Sequence, residues 1–208
     1  MLALRHFSRE MTMNRITPIR TALTTLALFA GALGTPALAA DYVIDTEGAH
    51  ASIQFRISHL GYSWLKGRFN EFAGEFSYDA DNPSAASVQV AIDPASIDSN
   101  HAERDAHLRS ADFLDVETYP EAGFVSTDYI PHGDGTATLE GELTLRGVTR
   151  PISIDVEKIG EGEDPWGGYR VGFSGETQFQ LKDFGIDYNL GPAAETVYLE
   201  LEVEGIRQ

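Results

Sequence analysis

The chain has no cysteine, so a disulfide scaffold and thiol catalysis are both excluded, and its stability must come from a packed core. Cationic side chains are scarce: 15 Lys and Arg stand against 32 Asp and Glu in 208 residues, a formal net charge of −17. That balance argues against nucleic acid and anionic lipid headgroups as electrostatic partners, because both would be repelled. Long hydrophobic runs are missing but for one. Residues 23–33, "LTTLALFAGAL", fall short of the ~20 residues that a spanning helix needs.

The surroundings of that run give it a different meaning. Arg5, Arg9, Arg15 and Arg20 precede it, and "GTPALAAD" follows, with Ala37-Leu38-Ala39 fitting the small-residue cleavage pattern of a secretory signal peptide. Residues 1–39 are therefore expected to be a signal peptide, with Met1, Met11 or Met13 as the start, and 40–208 the mature domain. The mature part carries 11 basic and 31 acidic side chains, a net of −20, in 169 residues. This suits one exported domain without a stable membrane insertion, periplasmic if the source is a diderm bacterium.

Strand patterns dominate the mature part. "HASIQFRISHL" alternates Ala51, Ile53, Phe55 and Ile57 against Ser52, Gln54, Arg56 and Ser58, so one face is apolar and the other wet. "FAGEFSYDADNP" puts Phe72, Gly74, Phe76 and Tyr78 in phase before a turn at Asp81-Asn82-Pro83. Val88, Val90 and Ile92 share a face. "EAGFVSTDYI" is ambiguous: Ala122, Phe124 and Ser126 compete with Val125, Thr127 and Tyr129 for the inside. The strongest hairpin signal runs from Leu139 through Leu145, turns at Arg146-Gly147-Val148, and returns through Ile152, Ile154 and Val156. Two further alternating runs hold Val171 to Leu181 and Val197 to Val203.

With a short "YVID" at the start this makes about eight strands in an all-β domain. Two packed sheets and a closed barrel both satisfy the pattern, but few charges look like edge protection, which favours an antiparallel barrel. Gly74, Gly141 and Gly175 lie in phase with inward residues, where they either mark bulges or leave room for a ligand.

One segment, "SNHAERDAHLRSADFLDVETYP", is helical in pattern. Asn100 is the expected N-cap, with Glu103 completing a capping box. Glu103 with His107 and Asp105 with Arg109 are spaced as acid-first i,i+4 pairs on a short helix from His101 to Arg109.

No chemistry-bearing motif emerges. His101 and His107 are six apart, on different helix faces, so no zinc helix is formed. The acidic loop from Asp79 lacks the glycine and glutamate of an EF-hand, "GEGEDPWGG" lacks the lysine of a phosphate loop, and "VGFSGE" is not a nucleophile elbow. No catalytic residues, metal or cofactor are expected.

The segments "ADYVIDTEGAHASIQFRISHLGYSWLKGRF", "NHAERDAHLRSADFLDVETYP", "LTLRGVTRPI", "GEDPWGGYRVGF" and "LKDFGID", in this order, resemble the YceI-like family of secreted lipid-binding proteins. The resemblance spans the mature chain. It implies an eight-stranded, lipocalin-like antiparallel barrel with a short helical insertion, enclosing a long apolar cavity for a polyisoprenoid or isoprenoid quinone. It further implies that the insertion covers the barrel with Phe113 and Leu114 inward and an ion-paired helix outward, held by His101, Arg104, Asp105 and Arg109. The apolar lining it suggests comprises Phe55, Ile57, Phe72, Phe76, Val90, Phe113, Phe124, Leu143, Ile154, Phe173, Phe179 and Leu199, each of which would serve equally as packed core. Trp64 and Trp166 are placed either at a mouth or as a plug.

The function so implied is binding, transport or sequestration of an isoprenoid-type lipid by a monomer or homodimer, without catalysis. Two rival readings are an enzyme using His59, His101 or carboxylates at the mouth, and a structural barrel filled by its own side chains.

Overall fold

The computed structural model describes residues 39–208; all but the last residue of the expected signal peptide lie outside the described residues. Eleven strand segments form one antiparallel sheet: β1 (Ala40–Ile44), β2 (Ser52–His59), β3 (Ser63–Phe69), β4 (Phe72–Tyr78), β5 (Ser87–Ile92), β6 (Ile97–Asp98), β7 (Ala122–Pro131), β8 (Thr136–Leu145), β9 (Val148–Glu163), β10 (Tyr169–Gln180) and β11 (Thr196–Arg207). Among the described residues one α-helix, α1 (Ala102–Arg109), lies between β6 and β7.

The eleven segments make eight staves. β11 pairs with β10 along its length and, on its other side, with β2 at Val197–Glu202 and then with β1 at Gly205–Arg207. β1 and β2 are thus one line broken at residues 45–51, where the Asp45 carboxylate turns back to accept from Gly48 N at 2.8 Å. β3 with β4 and β5 with β6 are broken in the same way: β2 pairs with β3 and β1 with β4, then β3 pairs with β6 and β4 with β5. β7, β8, β9 and β10 follow as a meander, and the pairing of β1 with β11 closes the barrel, while the short β6 pairs on one side only, with β3.

Local chemistry explains most of the pairing. The β8–β9 hairpin turns at two residues, Arg146 and Gly147, both at positive φ (50° and 69°), the geometry that matches strand twist in a two-residue loop. The ambiguous phase of β7 has a physical cause. A bulge between Ser126 and Asp128 shifts the register against β8, so Ala122 and Phe124 point inward before it and Tyr129 after it. A second shift at Gly172/Phe173 leaves Ile159 of β9 out of the pairing and exposed.

The glycines read as bulges or empty space are mostly seats for side chains. Any Cβ at Gly141 would collide with the Phe124 ring, one at Gly74 with Ile44 Cδ1 and Gln89 O, and one at Gly175 would press on Ile154. Gly74 and Gly141 leave no open room for a ligand, whereas Gly175 lies on the wall of an interior space of about 100 Å³; Gly141 faces Ser126 at the start of the β7 bulge.

Two apolar clusters fill the interior. One end of the barrel is sealed by Tyr42, Ile44, Phe76, Tyr78 and Val171, with Tyr42 stacked on Phe76 at 5.0 Å and Phe173 edge-on to both Phe76 and Tyr78. The larger cluster, which includes Phe55, Phe113, Leu114, Phe124, Leu143 and Phe184, occupies the middle and the other end.

Candidate functional site

At the end opposite the aromatic seal the barrel holds a cavity of about 410 Å³. Its wall is built from inward positions of β2, β3, β5, β6, β7, β8, β10 and β11, from α1 with the turn after it, and from the loop between β10 and β11. A smaller cavity of about 100 Å³ lies beside the aromatic seal, between Phe76, Tyr129, Leu139, Ile154 and Phe173. The volume of the larger one falls within the few hundred Å³ characteristic of small-molecule pockets. Strand alternation creates the barrel's share of this lining: inward residues of β11, Val197 and Leu199 then Leu201 and Val203, serve the two cavities in turn.

The residues proposed from sequence separate into three groups. Phe55, Ile57, Phe113, Leu143, Phe179 and Leu199 line the larger cavity, and Phe76, Ile154 and Phe173 the smaller. Phe124 is buried between them, and Phe72 and Val90 pack half-buried against the aromatic seal; these three line neither cavity. Phe72 and Val90 give way to neighbours on their own strands: Phe76 and Val88 line the smaller cavity and Ile92 the larger, while Phe72 and Val90 pack against the cluster of Tyr42, Ile44 and Phe76.

The cover over the cavity is α1 and its following turn, with Phe113 and Leu114 buried beneath it. Its anchoring differs from the expected one. The helix begins at Ala102, and the N-cap is His101, whose Nδ1 accepts from Arg104 N at 3.2 Å. Asn100 instead takes a left-handed turn (φ 62°), which moves Glu103 out of capping-box position. Neither expected i,i+4 ion pair forms: His107 bonds Asp112 at 2.9 Å, and Arg109 donates to Ala95 O and Ile97 O at 2.6 and 2.8 Å. Asp105 is buried rather than outward and accepts from the Ser99 N–H at 2.8 Å and from the Ser99 hydroxyl. Burial pushes its carboxyl up, but these bonds and the charge of Arg109 outweigh it and hold it below the usual carboxylate range. Arg104 completes the anchor by donating to Ser99 Oγ and Ser99 O at 2.7 and 2.6 Å. Of the four residues named from the resemblance, Arg104, Asp105 and Arg109 hold the cover to residues 95–99, whereas His101 only caps the helix.

A further clamp was not legible in the sequence. Arg146, at the β8–β9 turn, donates to Ala111 O at 2.9 Å and to Gly185 O, tying the cover and the β10–β11 loop to one hairpin. That loop also supplies lining that the pattern reading missed: Leu181, Ile186, Tyr188 and Leu190. Its signal was the alternation of Phe184, Ile186, Tyr188 and Leu190, hidden among loop-forming residues. Tyr188 packs on His107 and Phe113, with ring centroids 5.1 and 4.9 Å away, and joins the loop to the cover.

Neither tryptophan plugs the barrel. Trp64 stands half-exposed on the outer wall, edge-on to Tyr198 and under Arg56, and Trp166 is 78% exposed beside Arg170. At the sealed end Asp45, His50 and Glu204 converge, but Arg170 already supplies the positive charge there, with Nη1 2.6 Å from Asp45 and Nε 2.9 Å from Asp164. His50, Arg170 and the Gly48 N–H together hold the Asp45 carboxyl far below its ordinary range. This is an ion-pair network that fastens the break between β1 and β2 to β10 and β11.

The comparisons with known proteins agree with this geometry. The model of the YceI-like domain matches residues 42–205. A UPF0312 protein of Shewanella sp. (strain ANA-3) is 57% identical over 184 residues, covering 88% of this chain and 96% of that protein. A UPF0312 protein of Ectopseudomonas mendocina is 56% identical over 190 residues, 91% of this chain and 100% of that one. Among solved structures, the Campylobacter jejuni YCEI protein superposes with a TM-score of 0.66 at 28% identity, over 73% of this chain and 90% of its own. A polyisoprenoid binding domain from Saccharophagus degradans superposes with a TM-score of 0.59 at 16% identity, covering 82% and 99%, and shares the fold.

Proposed function

The chain belongs to the YceI-like family, and from that premise and the cavity under α1 we propose that it binds an isoprenoid-type lipid, a polyprenyl chain or an isoprenoid quinone, inside the barrel. The observation that carries the reading is the pairing of a closed, eight-stave barrel with an apolar cavity of about 410 Å³ that its own side chains leave unfilled. A barrel serving only as structure would fill that volume, since interiors are ordinarily close-packed. The polyisoprenoid binding domain from Saccharophagus degradans supports the choice of ligand class.

The energetics are sufficient without any reaction. Ten buried methylene equivalents contribute about 8 kcal/mol gross, near the −8.2 kcal/mol of a micromolar complex, before the cost of ordering the chain is subtracted. We read the protein as a carrier or sequestering protein for that lipid. We place it in the periplasm, exported by residues 1–39, where a soluble carrier shields a lipid chain from water.

The direct test is loading. Folded protein incubated with a prenyl alcohol or a prenylated quinone should acquire one ligand per barrel in native mass spectrometry, and Leu143→Asp or Phe179→Asp should lose it while keeping its β-sheet circular dichroism. Equal loading of the charged variants would place the ligand outside this cavity.

A further inference from the structure

We propose that the rim of the barrel mouth is a peripheral docking surface for a phospholipid bilayer: Leu60, Tyr62, Trp64 and Tyr188 enter the membrane interface, and the cations of the β2–β3 hairpin stand behind them. The proposal goes beyond the lipid-binding reading, since it stands on the outer surface and needs no occupant of the cavity.

The turn between β2 and β3 carries the first observation. Tyr62 N donates to His59 O at 2.9 Å, and the two central residues, Leu60 and Gly61, are both at positive φ (55° and 79°). The first position of such a turn suits Asn, Asp or Gly. Leucine is unfavourable there twice over: its backbone lies in the left-handed region, where bulky side chains are rare, and its side chain is 56% exposed to water. Of the five non-glycine residues at positive φ among the described residues, Leu60 is the one large aliphatic side chain. A strained backbone that presents an apolar side chain to water contributes little to packing and points to an outside partner.

Leu60 is not alone. Tyr62 is 87% exposed, and Trp64 and Tyr188 are about half-exposed. The fold gathers them: Leu60 lies beside Gly191 and Gly61 beside Ala193, in the β10–β11 loop that also carries Tyr188. His59 and Tyr188 line the larger cavity, so the rim is continuous with the mouth. The other exposed large apolar side chains are spread over β1, β7, β9 and two turns.

Charge selects the occupant. The chain carries 32 acids, yet residues 48–70 contain none and hold Arg56, Lys66 and Arg68. Arg56 and Lys66 are partners across β2 and β3, and Arg68 follows on the same face of β3. Among the described residues Lys66 has no carboxylate within ion-pairing distance, and Arg56 and Arg68 meet theirs only at 3.5 and 3.8 Å. Apolar tips backed by cations match the order of a bilayer, hydrocarbon and then phosphate, and aromatic and long basic side chains are favoured at that boundary. The acids elsewhere are repelled by the phosphates and turn the rest of the surface away. A second copy fits less well. Among the described residues β3 is open on one side at residues 63–67, but pairing two such edges would bring Lys66 and Arg68 of both copies together.

The experiment mixes the mature protein with phosphatidylcholine vesicles whose acyl chains are brominated, because bromine quenches an indole that reaches the chains. The two tryptophans stand at opposite ends of the barrel, Trp64 at the rim and Trp166 at the β9–β10 turn of the sealed end. Trp64 lines neither cavity, so its quenching reports docking and not a chain drawn into the barrel. Trp166→Phe protein, which keeps Trp64, should lose emission when vesicles are added, and Trp64→Phe protein, which keeps Trp166, should not. Leu60→Asn should raise the urea midpoint by relieving the turn while weakening vesicle affinity roughly tenfold. Quenching of neither tryptophan, of both alike or of Trp166 alone overturns the proposal. So does a Leu60→Asn protein with unchanged vesicle affinity. Absence of quenching together with a shift from dimer to monomer in Leu60→Asn, read by sedimentation, would make the rim a contact between copies instead. No cavity ligand is added, so failure here leaves the lipid-binding reading standing, and failure of lipid loading leaves this result unaffected.

Discussion

The ring of Phe124 on β7 lies across the backbone of Gly141 on β8, filling the space that a side chain at position 141 would need. The in-phase neighbours of Gly141 are divided by this contact: Leu143 lines the larger cavity and Leu139 the smaller. Phe124 therefore stands at the level where the interior is partitioned, and the glycine is what lets it lie flat there.

Removing the partition should lengthen the chain that fits. Phe124→Ala is expected to lower stability by about 3–5 kcal/mol while joining the two cavities, so that native mass spectrometry with a ladder of prenols shows longer chains retained. An unchanged length limit would mean that the cavities do not communicate at Phe124. Gly141→Val approaches the same contact from the other side and should cost about 1–3 kcal/mol in urea denaturation, by overpacking.

The clamp at Arg146 predicts a local effect. Arg146→Ala removes hydrogen bonds to Ala111 O and Gly185 O. Hydrogen–deuterium exchange should speed up in α1, the turn through Val116, and residues 185–190, while β7, β9 and β11 keep their protection. Bound lipid should dissociate faster from the variant. Uniform loss of protection would instead make Arg146 a global stability residue.

Acid should loosen the sealed end first. The folded-state carboxyl of Asp45 lies well below its ordinary value, held there by bonds from His50, Arg170 and Gly48. A depressed carboxyl stabilises the fold above its unfolded value, about 3.9, and that contribution fades as pH falls below it. Asp45→Asn should therefore melt several degrees below the unmodified protein near about pH 7, and the gap should close toward about pH 2. A gap independent of pH would show that Asp45 acts through shape and not charge.

The barrel was legible because strands buried on one face must alternate, and Arg146-Gly147 marks its hairpin, although Val148, counted with the turn from sequence, already pairs with Leu145. Six of the twelve residues expected along the lining face the larger cavity and three the smaller, for the same reason. Phe72 and Val90 could not be separated from them, because alternation tells which side of a sheet a residue faces but not how far along the barrel the interior is already filled. The β7 phase was unreadable for a related reason: one bulge residue exchanges inside for outside. At the cover, local spacing favoured Asn100 as cap and i,i+4 ion pairs, whereas the backbone of residues 95–99 offered tertiary acceptors and donors that captured Arg104, Asp105 and Arg109. Tertiary partners of that kind leave no periodic trace.

The measurement that bears most directly on the central claim is organic extraction of the mature protein, purified from its native compartment without detergent, with mass spectrometry of the extract. The account predicts a prenyl lipid in roughly one-to-one amount with the barrel, as one cavity holds one chain. A blank extract from folded protein, persisting after incubation with polyprenols, polyprenyl phosphates and isoprenoid quinones, would contradict it.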